Sequence, residues 1–240
     1  MSVTEKWGKA DLHIHSNHSY GLAKIPEIME YVQNQTDLDV IAITDHNTIE
    51  GALFAKSLEE LYDFEVIVGE EISSASGHII GLYLTEHVRP GLSVIDTIAE
   101  INDQGGIAII PHPFSQRGIF GPLGQSTFLN TANEFAFQAL EVCNSIPHLG
   151  WANRMAAKVF NGGQGIAATG GSDAHVLRGI GTGFTRFRGT SAQALKKSIE
   201  ALETTAESAP GGIGVALQYT KSIRKIRKQQ AWNWERCHDR

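Results

Sequence analysis

The sequence predicts an α/β fold built as a closed or distorted barrel, and three observations lead to that expectation. Short apolar runs alternate with amphipathic stretches along most of the chain. The unit recurs seven or so times with no dividing linker and no internal sequence repeat, which favours a barrel over an open sheet. Histidines and acidic residues gather at or just past the ends of the apolar runs, the end at which a parallel α/β barrel collects its functional groups.

The expected strands are Lys9–Ile14, Val40–Ile43, Glu65–Val68, His78–Leu84, Ile107–Ile110, Ala139–Val142, Ile166–Ala168 and Phe184–Phe187. Most are nearly continuous apolar runs, the pattern of strands covered on both faces in a parallel sheet. Helical periodicity is expected over Ile25–Gln35, Ile49–Leu61, Ser93–Asp103, Thr131–Phe137, Trp151–Phe160 and Ala192–Leu202. Gly118–Gln125 reads as a surface loop, and Gly162-Gly163-Gln164-Gly165 as a helix-ending turn rather than a phosphate loop. Residues 1–205 form the expected barrel, and 206–240 a basic helical tail with a patchy apolar stripe at Leu217, Ile223 and Ile226.

Hydrophobic content of 42% and charged content of 19% are ordinary for a soluble globular protein. No apolar run is long enough to span a membrane, the first residues carry no secretory pattern, and a cytoplasmic location is expected. The net charge of −6 divides unevenly, with seven basic and two acidic residues from Lys221 onward and 13 basic against 24 acidic before it. An acidic body rich in histidine suits divalent cations and disfavours broad contact with nucleic acid, whereas the tail leaves nucleic-acid contact open. Cys143 and Cys237 form no disulfide framework, and Cys143 reads as a small buried hydrophobe rather than a nucleophile. His87, His148 and His238 lie outside the motifs and are expected to be solvated.

Five short motifs stand in order: Asp11-Leu12-His13-Ile14-His15-Ser16, Ile43-Thr44-Asp45-His46, Gly69-Glu70-Glu71-Ile72-Ser73 with Gly77-His78, Ile110-Pro111-His112-Pro113, and Gly171-Ser172-Asp173-Ala174-His175. On these residues the chain, from Asp11 to about Thr185, resembles the PHP (polymerase and histidinol phosphatase) superfamily of metal-dependent phosphoesterases. The resemblance implies a distorted (β/α)7 TIM-like barrel with two to three divalent ions, Mn²⁺, Fe²⁺ or Zn²⁺, at the C-terminal rim of the strands. It implies His13, His15, Glu71 and Asp173 around one ion, Glu71 bridging to a second held by His78 and His112, and His46 with His175 on a third. Glu70 is the runner-up to Glu71.

One position departs from the family pattern. Where the family carries a carboxylate for the third ion, this chain reads Ser19-Tyr20-Gly21, so His18 becomes the alternative ligand and Tyr20 a residue lining the pocket. Asp11 and Asp45 are expected to orient histidine ligands. The groups expected to carry catalysis are Asp45, His175 and Arg117, with Arg117 and then Arg178 as candidate phosphate-binding cations. Ser115 and Asn144 are expected at the rim, with Glu141 a structural hydrogen-bond partner. The function implied is hydrolysis of a small phosphomonoester or nucleotide. A 5′-end exonuclease on short nucleic acid is the alternative, and a catalytically lapsed metal-binding scaffold is the alternative from another class. A rival amidohydrolase reading shares the opening His-x-His strand but lacks the Gly-x-Glu-Ile-Ser and His-Pro motifs.

Overall fold

The structure is a computed structural model, and it describes residues 6–121, 124, 128, 134–160, 165–209, 216–222, 224–226 and 228. Strand β1 (Trp7–Ile14) is buried on both faces from Ala10 onward and pairs in parallel with β2 (Val40–Ile43), which is buried throughout. Between them runs α1 (Ile25–Gln35), whose Ile25, Ile28, Met29 and Val32 recur at helical spacing and face the sheet. Glu27 caps its start by accepting the Lys24 N–H at 2.7 Å. Helix α2 (Glu50–Leu58) tightens into a 3₁₀ turn at Glu59–Leu61, together filling the span expected to be one helix. Next come β3 (Glu65–Ser74), β4 (Gly77–Leu82), α3 (Val94–Asp103) and β5 (Ile107–Ile110). The Oγ of Ser93 accepts the Asp96 N–H at 3.1 Å and caps α3. The chain continues through β6 (Ala139–Asn144), α4 (Gly150–Val159), β7 (Ala167–Gly171), β8 (Gly183–Arg188), α5 (Ala192–Glu200) and β9 (Thr205–Ser208).

Among the described residues nine strands pair in the order β7-β6-β5-β4-β3-β2-β1-β8-β9. The two ends meet. Thr185 of β8 bonds both the N–H and the carbonyl of Gly170 at 2.9 Å, and Ala174 beyond β7 bridges in parallel to Ile14 of β1. The expectation of a parallel sheet needs correction, because β4 runs antiparallel to β3 and β5, and β8 antiparallel to β1 and β9. The cause is local: only Ala75 and Ser76 separate β3 from β4, and a link that short closes a hairpin and cannot make a crossover. Strand β9 was not expected. Its Thr-Ala-Glu-Ser sequence is polar and mostly exposed, an edge strand with no apolar run to announce it. Of the helix expected at Thr131–Phe137, residues 131–133 lie outside the described residues, and 134–137 form no α-helix.

The barrel interior is a cluster fed by β1 to β8: Ala10 and Leu12, Val40 and Ala42, Ile67, Ile80 and Leu82, Ile107 and Ile109, Ala139, Ala167 and Phe187, with Leu195 and Ile199 of α5 joining it. Simple alternation from Ala10 and Leu12 would place Ile14 inside and His13 outside. The register shift between Asp11 and Ile14 reverses that phase. Ile14 packs instead with Ile25, Ile28 and Met29 of α1, and His13 and His15 are freed to point inward. A second shift between Glu141 and Cys143 lets both Glu141 and Asn144 face the interior.

This phase makes a testable prediction. Leu12→Ala should lower the denaturant unfolding free energy by about 2–5 kcal/mol, as for a packed interior leucine. A change near zero would place Leu12 outside the barrel interior.

Candidate metal centre

The inward-facing motif residues stand at or just beyond strand ends, except Glu71, which lies three residues inside the end of β3. β1 supplies His13 and His15, the segment after β2 supplies His46, and β3 supplies Glu71. β4 supplies His78, β5 is followed by His112, and β7 by Asp173 and His175. Two of the turns are strained at the functional residue itself, with positive φ at His112 (28°) and Asp173 (52°). Non-glycine residues adopt that region only when the surroundings impose it. At His112 the imposing contact is Glu141, which accepts the His112 N–H at 2.7 Å. Beneath this turn Phe114, Phe120 and Phe128 pack with ring centroids 5.0–6.1 Å apart and fix the loop that carries Ser115 and Arg117.

Glu71 is the hub. Its Oε2 lies 3.3 Å from His13 Nε2, 3.3 Å from His15 Nε2 and 3.2 Å from His46 Nε2. Its Oε1 lies 2.7 Å from His78 Nδ1 and 3.0 Å from His112 Nε2. Asp173 Oδ1 stands opposite, 3.2 Å from His15 Nε2 and 3.6 Å from His13 Nε2. His175 closes the ring, its centroid 4.4 Å from that of His15, and His15 stacks on His46 at 4.7 Å. Among the described residues, four groups of three donors each gather within 4.8 Å: His13/His15/Glu71, His13/His112/Asp173, His46/Glu71/His78 and His15/His46/His175.

Burial and neighbouring charge set the protonation of this cluster. Burial alone would push Glu71 up, but the surrounding imidazoles, His46 and His78 foremost, hold it well below the ordinary carboxylate range. Asp173 is likewise lowered against burial by His13 and His15. Burial disfavours the charged form of His15, yet Asp173 and Glu71 outweigh it and raise the group to about 9. His46 is driven well below its usual value by burial, and His175 falls to about 4 through burial and the nearby His15. Burial thus works against the charged form at both His46 and His175, the form that cannot bind a cation.

A metal fits this donor set. Nε2 of His13 and both ring nitrogens of His15 are buried without a hydrogen-bond partner, a costly condition unless a cation takes them. Nitrogen and carboxylate donors of this kind suit Mn²⁺, Fe²⁺ or Zn²⁺. The outer partners point the rings inward. Glu141 Oε1 meets His13 Nδ1 at 3.0 Å, Ser115 Oγ meets His112 Nδ1 at 3.1 Å, and His175 Nδ1 donates to the Asp173 carbonyl at 2.9 Å. Asn144 Nδ2 donates to Glu141 at 2.9 Å and to Asp173 Oδ2 at 3.1 Å, tying the two carboxylates together. Glu141 and Asn144 thus do more than their sequence positions announced. The available signal was a lone acid inside the apolar run Ala139-Leu140-Glu141-Val142.

Several expected roles need correction. Asp45 does not face the cleft. It is fully buried and accepts the Ser16 N–H at 2.8 Å together with the hydroxyls of Ser16 and Ser19, so it clamps the loop after β1. Asp11 orients backbone rather than imidazoles, accepting the N–H groups of Ser172 at 2.9 Å and Gly181 at 2.8 Å. His18 is exposed and turned toward Glu50, 3.8 Å away, and stands apart from the donor groups. The Tyr20 ring packs at a tilt against His46, with centroids 4.5 Å apart. Glu70 points away from the cluster, accepting the Val88 N–H at 3.0 Å and lying 2.8 Å from His87 Nδ1, and burial pushes it up to about 8. His175 belongs with His15 and His46 to one of the donor groups.

A cleft of about 590 Å³ opens over the cluster. Ser115, Gln116 and Arg117 line one part, and Ile146, His148, Leu149, Trp151 and Ala152 another. His148, expected to be simply solvated, is exposed but belongs to this lining. Arg178 is exposed in a 3₁₀ turn outside the lining, close enough to influence Tyr31. Burial raises the Cys143 thiol and leaves it unactivated. His238 lies outside the described residues. No helix among the described residues is long and apolar enough to cross a membrane.

A family model described as PHP-associated matches residues 150–204. An uncharacterized protein of Methanocaldococcus jannaschii is 39% identical over 158 residues, covering 62% of this chain and 88% of that protein. Among solved structures, the chain is similar to a two-domain protein of Bacteroides vulgatus containing a predicted PHP-like metal-dependent phosphoesterase. That match has a TM-score of 0.68 and 19% identity over 85% of this chain, which spans 65% of that protein. The lesion-specific endonuclease Q of Pyrococcus furiosus matches with a TM-score of 0.62 and 16% identity over 84% of this chain, which spans 58% of the endonuclease. The chain is thus a relative of the M. jannaschii protein, carries a segment that matches a PHP-associated family, and shares its fold with PHP-like metal-dependent phosphoesterases.

Proposed function

We propose that the protein is a metal-dependent phosphoesterase acting on small phosphomonoesters or nucleotides. The observation that carries this reading is the buried Glu71 carboxylate, set between five imidazoles with Asp173 opposite and with three imidazole nitrogens making no hydrogen bond. His13, His15, Glu71 and Asp173 would hold one ion, Glu71, His78 and His112 a second, and His46 with His175 a third. When bound, ions bridged in this way supply an activated water and neutralise charge on the phosphoryl group and the departing oxygen.

The chain's own residues do the rest. Glu141 and Ser115 hold the rings of His13 and His112 so that each Nε2 faces Glu71. Arg117, at the rim of the cleft, would pair with phosphoryl oxygens through its guanidinium. The wall of Ile146, Leu149 and half-exposed Trp151 offers an apolar face to the rest of the substrate, as a nucleobase or a compact organic group requires. A second reading, cleavage at the 5′ end of a short nucleic acid, draws on one observation: Lys221, Arg224, Lys225 and Lys228 are all exposed along the C-terminal helical segment.

The deciding experiment is a hydrolysis panel of phosphomonoesters, mononucleotides and short oligonucleotides with Mn²⁺, run against a chelated blank. Turnover should appear with monoesters or mononucleotides and fall at least about 100-fold in both His13→Ala and Asp173→Ala. Activity surviving both substitutions would sink the site. Oligonucleotide turnover alone would favour the second reading, and metal binding without any turnover a lapsed scaffold.

Trp151→Ala should raise KM about tenfold for aromatic phosphates while leaving kcat close to wild type, since about 1.4 kcal/mol of uniform binding is lost. An unchanged KM would remove Trp151 from the substrate wall.

Metal binding should also release protons. In the metal-free protein the His15 imidazolium contributes stability that is fully present below about pH 6.5 and lost as pH rises through about 9. An incoming cation must displace that proton near pH 7. Calorimetric titration in two buffers of different ionisation enthalpy should therefore show net release at pH 7, diminishing above pH 9. No buffer dependence at pH 7 would contradict the assignment.

A further inference from the structure

We propose that Tyr219, on the helical segment 216–222 of the C-terminal tail, is a positioning residue for the metal centre, fixing Asp173 and His175 through their backbone. The inference rests on the reading of these residues as metal ligands, but not on the reaction they serve.

The segment from Asp173 to His175 leaves β7 in a strained turn, with Asp173 at φ 52°. β1 secures its middle: Ala174 N–H donates to the His13 carbonyl at 3.2 Å, and His15 N–H to the Ala174 carbonyl at 3.0 Å. The flanking groups, the Asp173 carbonyl and the His175 N–H, are both met by one phenol. The Tyr219 hydroxyl accepts the His175 N–H at 2.9 Å and donates to the Asp173 carbonyl at 3.0 Å. That same carbonyl takes the His175 Nδ1–H at 2.9 Å, so one oxygen fixes both the turn and the tautomer that leaves His175 Nε2 free. A single hydroxyl from outside the barrel therefore completes the frame of two candidate ligands.

The tail is built to deliver it. Gly179 packs between the ring and the turn: a Cβ added there would lie 3.2 Å from the Ala174 Cβ and in ordinary contact, 3.5 Å, with the Tyr219 ring. Tyr219 is half-buried and Ile226, seven residues on, is buried, whereas Leu217, Lys221, Arg224, Lys225 and Lys228 are exposed. The basic residues stay on the solvent side.

The test is Tyr219→Phe in the full chain, with Leu217→Ala as an exposed control on the same segment. The readouts are Mn²⁺ and Co²⁺ affinity by chelator competition, the visible absorption of the Co²⁺ form, and kcat and KM at limiting and saturating metal. Removing the hydroxyl should weaken the most loosely held ion about 10–100-fold and alter the Co²⁺ bands. It should lower kcat at limiting metal, restored at saturation, with KM unchanged, and Leu217→Ala should match wild type throughout. A Tyr219→Phe protein with wild-type affinity and Co²⁺ spectrum, or with only a lower melting temperature, would overturn the proposal. Should that variant fail to fold, 3-fluorotyrosine placed at 219 gives a ¹⁹F resonance that must shift on metal loading, and an unmoved resonance would overturn it. Wild-type protein that binds metal yet hydrolyses nothing would defeat the phosphoesterase reading while leaving these affinity measurements to decide on Tyr219.

Discussion

A carboxylate buried to 1% exposure, as Glu71 is, holds its charge only because cationic or hydrogen-bonding partners surround it. In this barrel those partners are imidazoles from four other strands or their ends, three on one oxygen and two on the other. The interior must deliver every one of those rings to within about 3 Å, and the rest of the architecture follows from that requirement. Without a cation, protons shared between His13, His15, Glu71 and Asp173 balance the charge. With one, the nitrogens that make no hydrogen bond acquire a lone-pair role.

Delivery depends on breaks in regular structure. Uninterrupted alternation in β1 would spend the inward positions on aliphatic residues, and the bulge between Asp11 and Ile14 redirects the last ones to His13 and His15. At β5 and β7 positive φ at His112 and Asp173 does similar work. Gly171 serves the same end by omission, since a Cβ there would come within 2.7 Å of both the His13 Cβ and Glu141 Oε1. Strain of this sort persists where surrounding contacts over-determine it, and here Glu141, Asn144, Ser115 and Tyr219 are those contacts.

Much of this was legible in the residues. Val40–Ile43 and Ile107–Ile110 appear as strands with the bounds expected, because short unbroken apolar runs admit little else. The gathering of His13, His15, His46, Glu71, His78, His112, Asp173 and His175 follows from their places at or near strand ends and from the family resemblance. What stayed hidden depends on contacts distant in sequence or on strand direction. The antiparallel β4 follows from a two-residue link with no strong turn signature, and β9 is polar. Asp45 beside His46 looks catalytic until Ser16 and Ser19 are seen to enclose it. Glu141 acts on a histidine 128 residues away, and Tyr219 on a turn 44 to 46 residues away. Arg178 shows the converse, a cation near a motif in sequence yet outside the cleft.

The central claim is that Glu71 bridges cations, and anomalous scattering from Mn²⁺-loaded crystals tests it most directly. The account predicts two peaks about 3.5–4 Å apart with the Glu71 carboxylate between them, one beside His13, His15 and Asp173 and the other beside His78 and His112. A map with no peak within coordination distance of Glu71, in protein shown to carry metal, would contradict it.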